Sequence, residues 1–150
     1  MAGMTDKFEY DIARSIFNAV AHTNISATAG TTSIWLALCT ADPTEAGSTA
    51  NEGGYALYTR VKTDRSSAAS TGWAVSSGAS TAPVSISPVA AIDFPQNTST
   101  TTGTFTHAMV FPSSNAQGSS SWFYGTLSPN INFSQNVTPR ITTASSITMD

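Results

Sequence analysis

The sequence predicts a mainly β protein: an antiparallel β-sandwich or jelly roll with one short N-terminal helix. Three observations carry this prediction. Ser and Thr, residues that suit strands and turns, supply 45 of the 150 residues. From residue 31 onward, strand-sized segments alternate with Pro, Gly, Asn and Ser turn signals at short intervals. Helical periodicity is confined to the first two dozen residues. The length suits one domain, 1–150, with 5–24 a helix and arm and 31–150 the sandwich. Such a chain can bury a core without a disulfide or a metal.

The helix comes first. Asp6 can cap it, and Glu9 three residues on completes a capping-box pattern. Phe8, Ile12, Ile16 and Ala19 recur at helical spacing, flanked by Phe17 and Val20. Asp6, Glu9 and Asp11 place negative charge in the first turns, where the macrodipole favours it, and Asn24 suits the end.

Everything after it reads as β. Ser33 to Thr40 is a nearly continuous apolar run, the pattern of a strand buried on both faces. Ala41-Asp42-Pro43-Thr44 breaks the chain, with the Asp42 carboxylate placed to accept from an amide two residues on. Glu45 to Gly54 is a polar, glycine-bearing loop. Tyr55 to Thr63 alternates, with Tyr55, Leu57, Thr59 and Val61 on one face and Arg60 and Lys62 on the other. Trp73 to Ser76 is a short strand before a Ser/Gly/Ala/Pro stretch from 77 to 83. Val84 to Phe94 holds strand pieces interrupted by Pro88 and ended by Pro95. Phe105 to Phe111 is a strand, as are Trp122 to Leu127 and Ile131 to Phe133, which Pro129 divides. Val137 to Ile141 and Ser146 to Met149 form the last strand pair.

Charge is scarce. Asp, Glu, Lys and Arg make up 10% of the chain, against about 25% in soluble domains. From Ser66 to Asp150 the only formal charges are Asp93, Arg140 and Asp150. Such a surface has little charge to desolvate on contact, which suits a subunit held among neighbours in a large assembly. A net charge of -3 argues against a nucleic-acid partner, which calls for a basic patch. Arg60, Lys62 and Arg65 read as a solvated strand edge. Met1 to Tyr10 holds Asp6, Lys7 and Glu9 and no apolar stretch, so no signal peptide is read. No segment reaches the ~20 apolar residues of a membrane span. The protein is expected to stay in a cytosol until it joins something.

The most distinctive stretch is Ile34-Trp-Leu-Ala-Leu-Cys-Thr-Ala-Asp-Pro-Thr-Glu-Ala-Gly47, followed by Asn51-Glu-Gly-Gly-Tyr55 and Arg60-Val61. Ala90-Ala-Ile-Asp-Phe-Pro95, Gly103-Thr-Phe-Thr-His107, Trp122-Phe-Tyr-Gly-Thr-Leu127 and Val137-Thr-Pro139 come after it in order. This series resembles the tailed-phage family of tail-fibre-like or minor structural proteins over nearly the whole chain. Two stretches, Tyr55 to Arg60 and Ser76 to Pro88, are longer than the family pattern. The resemblance implies a virion structural protein, assembled in the host cytoplasm and oligomeric, with a homotrimer expected. Small size and low charge point to capsid decoration or cement, bridging capsomers of the major capsid protein. The alternative is a tail-fibre or collar-associated structural or receptor-binding protein that contacts tail or collar proteins.

The expected attachment residues are Phe8, Ile12 and Ile16 on the helix, Glu45 and Glu52 in the polar loop, and Tyr55 and Tyr58 beside it. Trp35, Trp73, Trp122, Phe123 and Tyr124 could present a sugar-stacking surface, but strand positions make core packing the stronger reading. No catalytic, cofactor or metal constellation assembles, and the chain reads as a non-enzyme. His22 suits a helix end and His107 a polar role within a strand. The single cysteine, Cys39, excludes an internal disulfide and a thiolate zinc site, and reads as a small buried hydrophobe. Among Asp42, Glu45, Glu52, Asp64 and Asp93, the pair Glu45/Glu52 is the one combination a glycan-cleaving enzyme could use. No nucleophile elbow, P-loop or dinucleotide fingerprint is present.

Overall fold

A computed structural model describes residues 6–18, 33–44, 47–66, 70–75, 84–111, 114 and 121–149, with the backbone alone described at 6–11, 84 and 147–149. The class is the one the sequence predicts: antiparallel β-sheets with a single short helix among the described residues. The chain divides into two compact units. One comprises Met1–Thr32, Asp64–Ala91 and Thr142–Asp150, the other Ser33–Thr63 and Ile92–Ile141.

In the first unit, helix α1 (Asp6–Phe17) packs on strands β3 (Trp73–Val75) and β4 (Val84–Pro88). β4 is the middle of a three-stranded sheet, paired with β3 on one side and with β9 (Ile147–Met149) on the other. The helix buries Ala13 and Phe17 completely, while Ile12 and Ile16 are half-buried. The buried stripe is thus one position further round the helix than the Phe8–Ile12–Ile16 spacing suggests. Tertiary packing sets it: the Phe17 ring meets the buried Trp73 edge-on, with centroids 5.2 Å apart.

Arg65 closes the helix. Its guanidinium donates from Nε to the Ile16 carbonyl and from Nη2 to the Ser15 carbonyl. These are carbonyls of the last turn, which lack helical partners and lie at the negative end of the macrodipole. The sequence reading placed Arg65 on a solvated edge; it is buried instead, because two carbonyl acceptors replace its water. His22, Asn24, Ala19, Val20 and the stretch 77–83 lie outside the described residues.

The second unit is built on a four-stranded sheet of order β2-β1-β6-β7 and a short β5–β8 ribbon. β1 (Ser33–Cys39) is central, between β2 (Val61–Asp64) and β6 (Gly103–Phe111). That position explains its unbroken apolar sequence: Ile34, Leu36, Ala37, Leu38 and Cys39 are all buried. β6 pairs with β1 from Trp35↔Phe111 to Cys39↔His107. On its other side β6 pairs with the edge strand β7 (Phe123–Phe133), in two registers separated by an irregularity. The two strand pieces divided by Pro129 are therefore one strand, bent where the extra residues bulge out.

Two expected pairings differ. Tyr55 to Arg60 is not strand: a tight turn carries the Tyr58 N–H back to the Tyr55 carbonyl at 3.1 Å. The turn sends Tyr55 and Tyr58 inward together and leaves Leu57 out in solvent. The final hairpin does not form either. β8 (Arg140–Ile141) pairs with β5 (Ile92–Asp93), while β9 pairs with β4 in the other unit. An exposed ion pair, Arg140 to Asp93, crosses the β5–β8 ladder and holds the Asp93 carboxyl below its ordinary range.

Aromatic rings fill the second unit. Phe105 and Phe133 lie 4.5 Å apart, Tyr55 is 5.5 Å from Phe133, and Tyr58 stacks on Phe94 at 6.0 Å. The packing needs glycine at two separate points of the chain. A Cβ at Gly54 would stand 2.6 Å from the tip of the Phe133 ring, and one at Gly103 2.5 Å from the same atom. Phe133 occupies the slot that these two missing side chains leave.

Gly103→Ala is therefore expected to destabilise the protein by about 1–3 kcal/mol through overpacking. In a Gly103→Ala/Phe133→Leu double variant, part of that cost should be recovered. Urea unfolding of the single and double variants measures both. Strict additivity would mean that the slot does not exist.

Candidate functional site

The polar loop returns to the end of β1 and locks there. The Thr40 N–H donates to the Asn51 carbonyl at 3.0 Å, and the Gly53 N–H donates to the Leu38 carbonyl at 2.9 Å. This sets Glu52 opposite Cys39 in an antiparallel bridge. Gly53, at a φ of +76°, then turns the chain through a conformation open to glycine. The turn at Tyr55–Tyr58 delivers Arg60 back to Glu52. Arg60 Nε and Nη2 donate to the two carboxylate oxygens at 2.7 Å each. The two side chains are only 3% and 9% exposed, and the guanidinium carbon lies 3.4 Å from the centroid of the Phe111 ring. Fork-to-fork pairing over an aromatic face is the geometry in which arginine tolerates burial.

The neighbouring groups are tuned by the same burial. Tyr58 accepts the Leu38 N–H on its hydroxyl at 2.6 Å, and desolvation pushes its phenol above the ordinary range. Desolvation first, and the Glu52 charge second, push the Cys39 thiol up to about 12, with Arg60 opposing. The thiol is thus neutral and inert while the protein is folded.

Above the ion pair lies a cleft of about 310 Å3, lined by Thr49, Glu52, Tyr58, Thr59, Arg60 and Ser114. Its mouth is hydroxylated and its floor carries one carboxylate and one guanidinium. The loop that supplies Thr49 is anchored next to the β6–β7 connection, which supplies Ser114. Gly47, at a φ of +61°, backs so closely onto Ser121 that a Cβ would come within 2.5 Å of its hydroxyl oxygen. Trp122 follows at once, 41% exposed, and Tyr124, opposite Met109, is 42% exposed. The expectation that these aromatics pack in the core holds for Trp73 and fails for this pair, because β7 is a sheet edge with no strand beyond it among the described residues.

The expected attachment residues scatter. Ile12 and Ile16 are half-buried on α1, in the first unit. Phe8 lies on the same helix, but its side chain is outside the described residues, as is Glu45 altogether. Tyr55 is buried, its hydroxyl donating to the Pro95 carbonyl at 2.6 Å. Tyr58 and Glu52 belong to the cleft. Arg60, which the sequence reading treated as a solvated charge, is the residue that organises the cleft. Thr49, Thr59 and Ser114 carry no local signal among 45 hydroxyl residues. The opposite charges of Glu52 and Arg60, flanking a Gly-Gly turn, were the one available clue.

The described carboxylates weighed for acid–base work are all engaged. Glu52 holds Arg60, Asp93 holds Arg140, and the Asp42 carboxylate accepts the Thr44 N–H at 2.8 Å, as its place before Pro43 suggests. Asp64 accepts the Thr71 hydroxyl at 2.5 Å. His107 is half-buried between the Thr106 and Thr126 hydroxyls, at 2.9 and 3.5 Å. Among the described residues no three His, Cys, Asp or Glu side chains gather as a metal site would require.

Two outcomes follow from the ion pair. Arg60→Met alone should cost about 3–5 kcal/mol, because it strands a buried carboxylate, while Glu52→Leu with Arg60→Met should cost far less. Thermal unfolding of the single and double variants checks this. Cys39 should resist a thiol reagent at pH 8 until denaturant unfolds the chain, and stability should fall as pH rises above the ordinary thiol range of about 9. The sign follows from the raised pKa: the folded state keeps a proton that the unfolded state releases.

No curated protein matches the chain. The family model of the podophage GP4 fiber I protein gp80 matches residues 3–149. A match over that span leaves almost nothing of the sequence outside it, and the chain belongs to the podophage GP4 fiber I protein gp80 family.

Proposed function

We propose that the protein is a structural component of the tail-fibre or collar apparatus of a tailed-phage particle, rather than capsid cement. The observation that carries this reading is the fibre family matched over 3–149. A structural family also supports a non-catalytic role, and the engaged carboxylates agree with it. The partners are other tail or collar proteins and further copies of the chain, arranged as a trimer. The sparse charge supports assembly, because an uncharged Ser/Thr surface loses little hydration on contact.

One observation adds a recognition role. Trp122 and Tyr124 stay exposed in the unit that carries the hydroxylated cleft, and exposed aromatics with a polar handle mark contact surfaces.

Quantitative mass spectrometry of purified virions tests the placement. A few copies per particle, in a multiple of three or six, are expected. About one copy per major capsid subunit would return the protein to the capsid, and its absence from particles would end the structural reading.

A further inference from the structure

We infer that the Glu52–Arg60 cleft, together with Trp122, is a binding site for a neutral oligosaccharide. The inference rests on the recognition role proposed above and gives it a chemical identity.

The chemistry of the floor comes first. An ionised carboxylate offers about four acceptor positions, and Arg60 occupies one on each oxygen. The two groups lie in a fixed, bidentate arrangement, so their directions are set before any ligand arrives and little ordering is lost on binding. A sugar presents adjacent hydroxyls, each of which both donates and accepts. One can donate to the Glu52 carboxylate while its neighbour exchanges bonds with the hydroxyls of Thr49, Thr59 or Ser114. The cleft volume, about 310 Å3, stands at the lower end of ligand pockets, ~300–1,000 Å3, which suits a short saccharide segment.

The placement of the aromatic ring comes second. Gly47 packs on Ser121, two residues before the cleft residue Thr49 and one residue before Trp122. Ser114, from the same β6–β7 connection, lines the cleft itself. Trp122, 41% exposed, thus follows directly on a residue that packs against the loop supplying Thr49 to the cleft. A flat exposed ring carried on the β6–β7 connection, together with a hydroxylated cleft, matches a ligand with an apolar ring face and polar edges.

The charge balance selects a neutral ligand. The carboxylate and guanidinium of the floor cancel, and the other formal charges of this unit's ribbon, Asp93 and Arg140, pair with each other. A phosphate or an acidic sugar would need a further cation at the site, and among the described lining residues the only cation, Arg60, is already committed to Glu52. An apolar ligand would strand the buried charges under it.

The test uses the full-length protein on an array of neutral and acidic oligosaccharides. Calorimetry follows with the strongest neutral binder, on wild type, Thr59→Ala, Trp122→Ala and the surface control Val89→Ala, which does not line the cleft. Neutral oligosaccharides are expected to bind. Thr59→Ala and Trp122→Ala should each weaken binding by about tenfold without shifting the melting temperature, and Val89→Ala should leave it unchanged. The proposal is overturned if only acidic glycans bind, if none binds, or if both site variants bind like wild type. A protein located on the tail that binds no neutral glycan refutes the site and leaves the fibre reading standing. Binding by a protein missing from virions does the reverse.

Discussion

A guanidinium held out of water between a carboxylate and an aromatic face organises the second unit. Arg60 is buried with both oxygens of Glu52 meeting it and Phe111 beneath it. That arrangement dictates the path of the chain around it. Asn51 to Gly53 must run along the end of β1, and Tyr55 to Tyr58 must turn back so that Arg60 returns to Glu52. The turn also carries two phenol rings into the cluster around Phe105 and Phe133, so the polar lock and the aromatic core form together. Glycines at 54 and 103 are the steric condition for that cluster, since Phe133 fills the volume their side chains would take.

The rest of the surface follows from how little charge the chain carries. Among the described residues two ion pairs sit at defined joints, Arg60–Glu52 under the cleft and Arg140–Asp93 across the β5–β8 ladder, while Arg65 donates to backbone carbonyls on the last turn of α1 in the other unit. Hydroxyls and amides provide contact with water elsewhere. Even a wholly buried polar residue is served locally: Asn97 donates to the Thr101 carbonyl and accepts from the amide and hydroxyl of Ser99. β7, an edge strand with no formal charge, protects itself by a bulge and a proline instead of by lysines. The fibre role proposed above would gain from such a surface, because a neighbour can approach it without desolvating ions.

Much of this was legible in the residues. The unbroken apolar run of β1 announced burial on both faces, Asp42-Pro43 announced its turn, and Cys39 read correctly as core. Mainly β architecture, one N-terminal helix and a phage structural family all follow from local pattern and motif order. What the sequence by itself determined are properties settled within a few neighbouring residues: strand or helix period, turn chemistry, and scarcity of charge. Only the tertiary structure decided which side chains became a site. Tyr55 and Tyr58 looked like surface residues because an alternating run has period two, whereas a turn closed by distant rings imposed a spacing of three. Arg60 and Arg65 looked solvated because their acceptors, Glu52 and the end of α1, lie across a turn or nearly fifty residues away. Trp122 and Tyr124 looked like core because nothing local shows that β7 is the edge of its sheet. Burial depends on which strands are neighbours, and neighbourhood in a sheet is a long-range property of the chain.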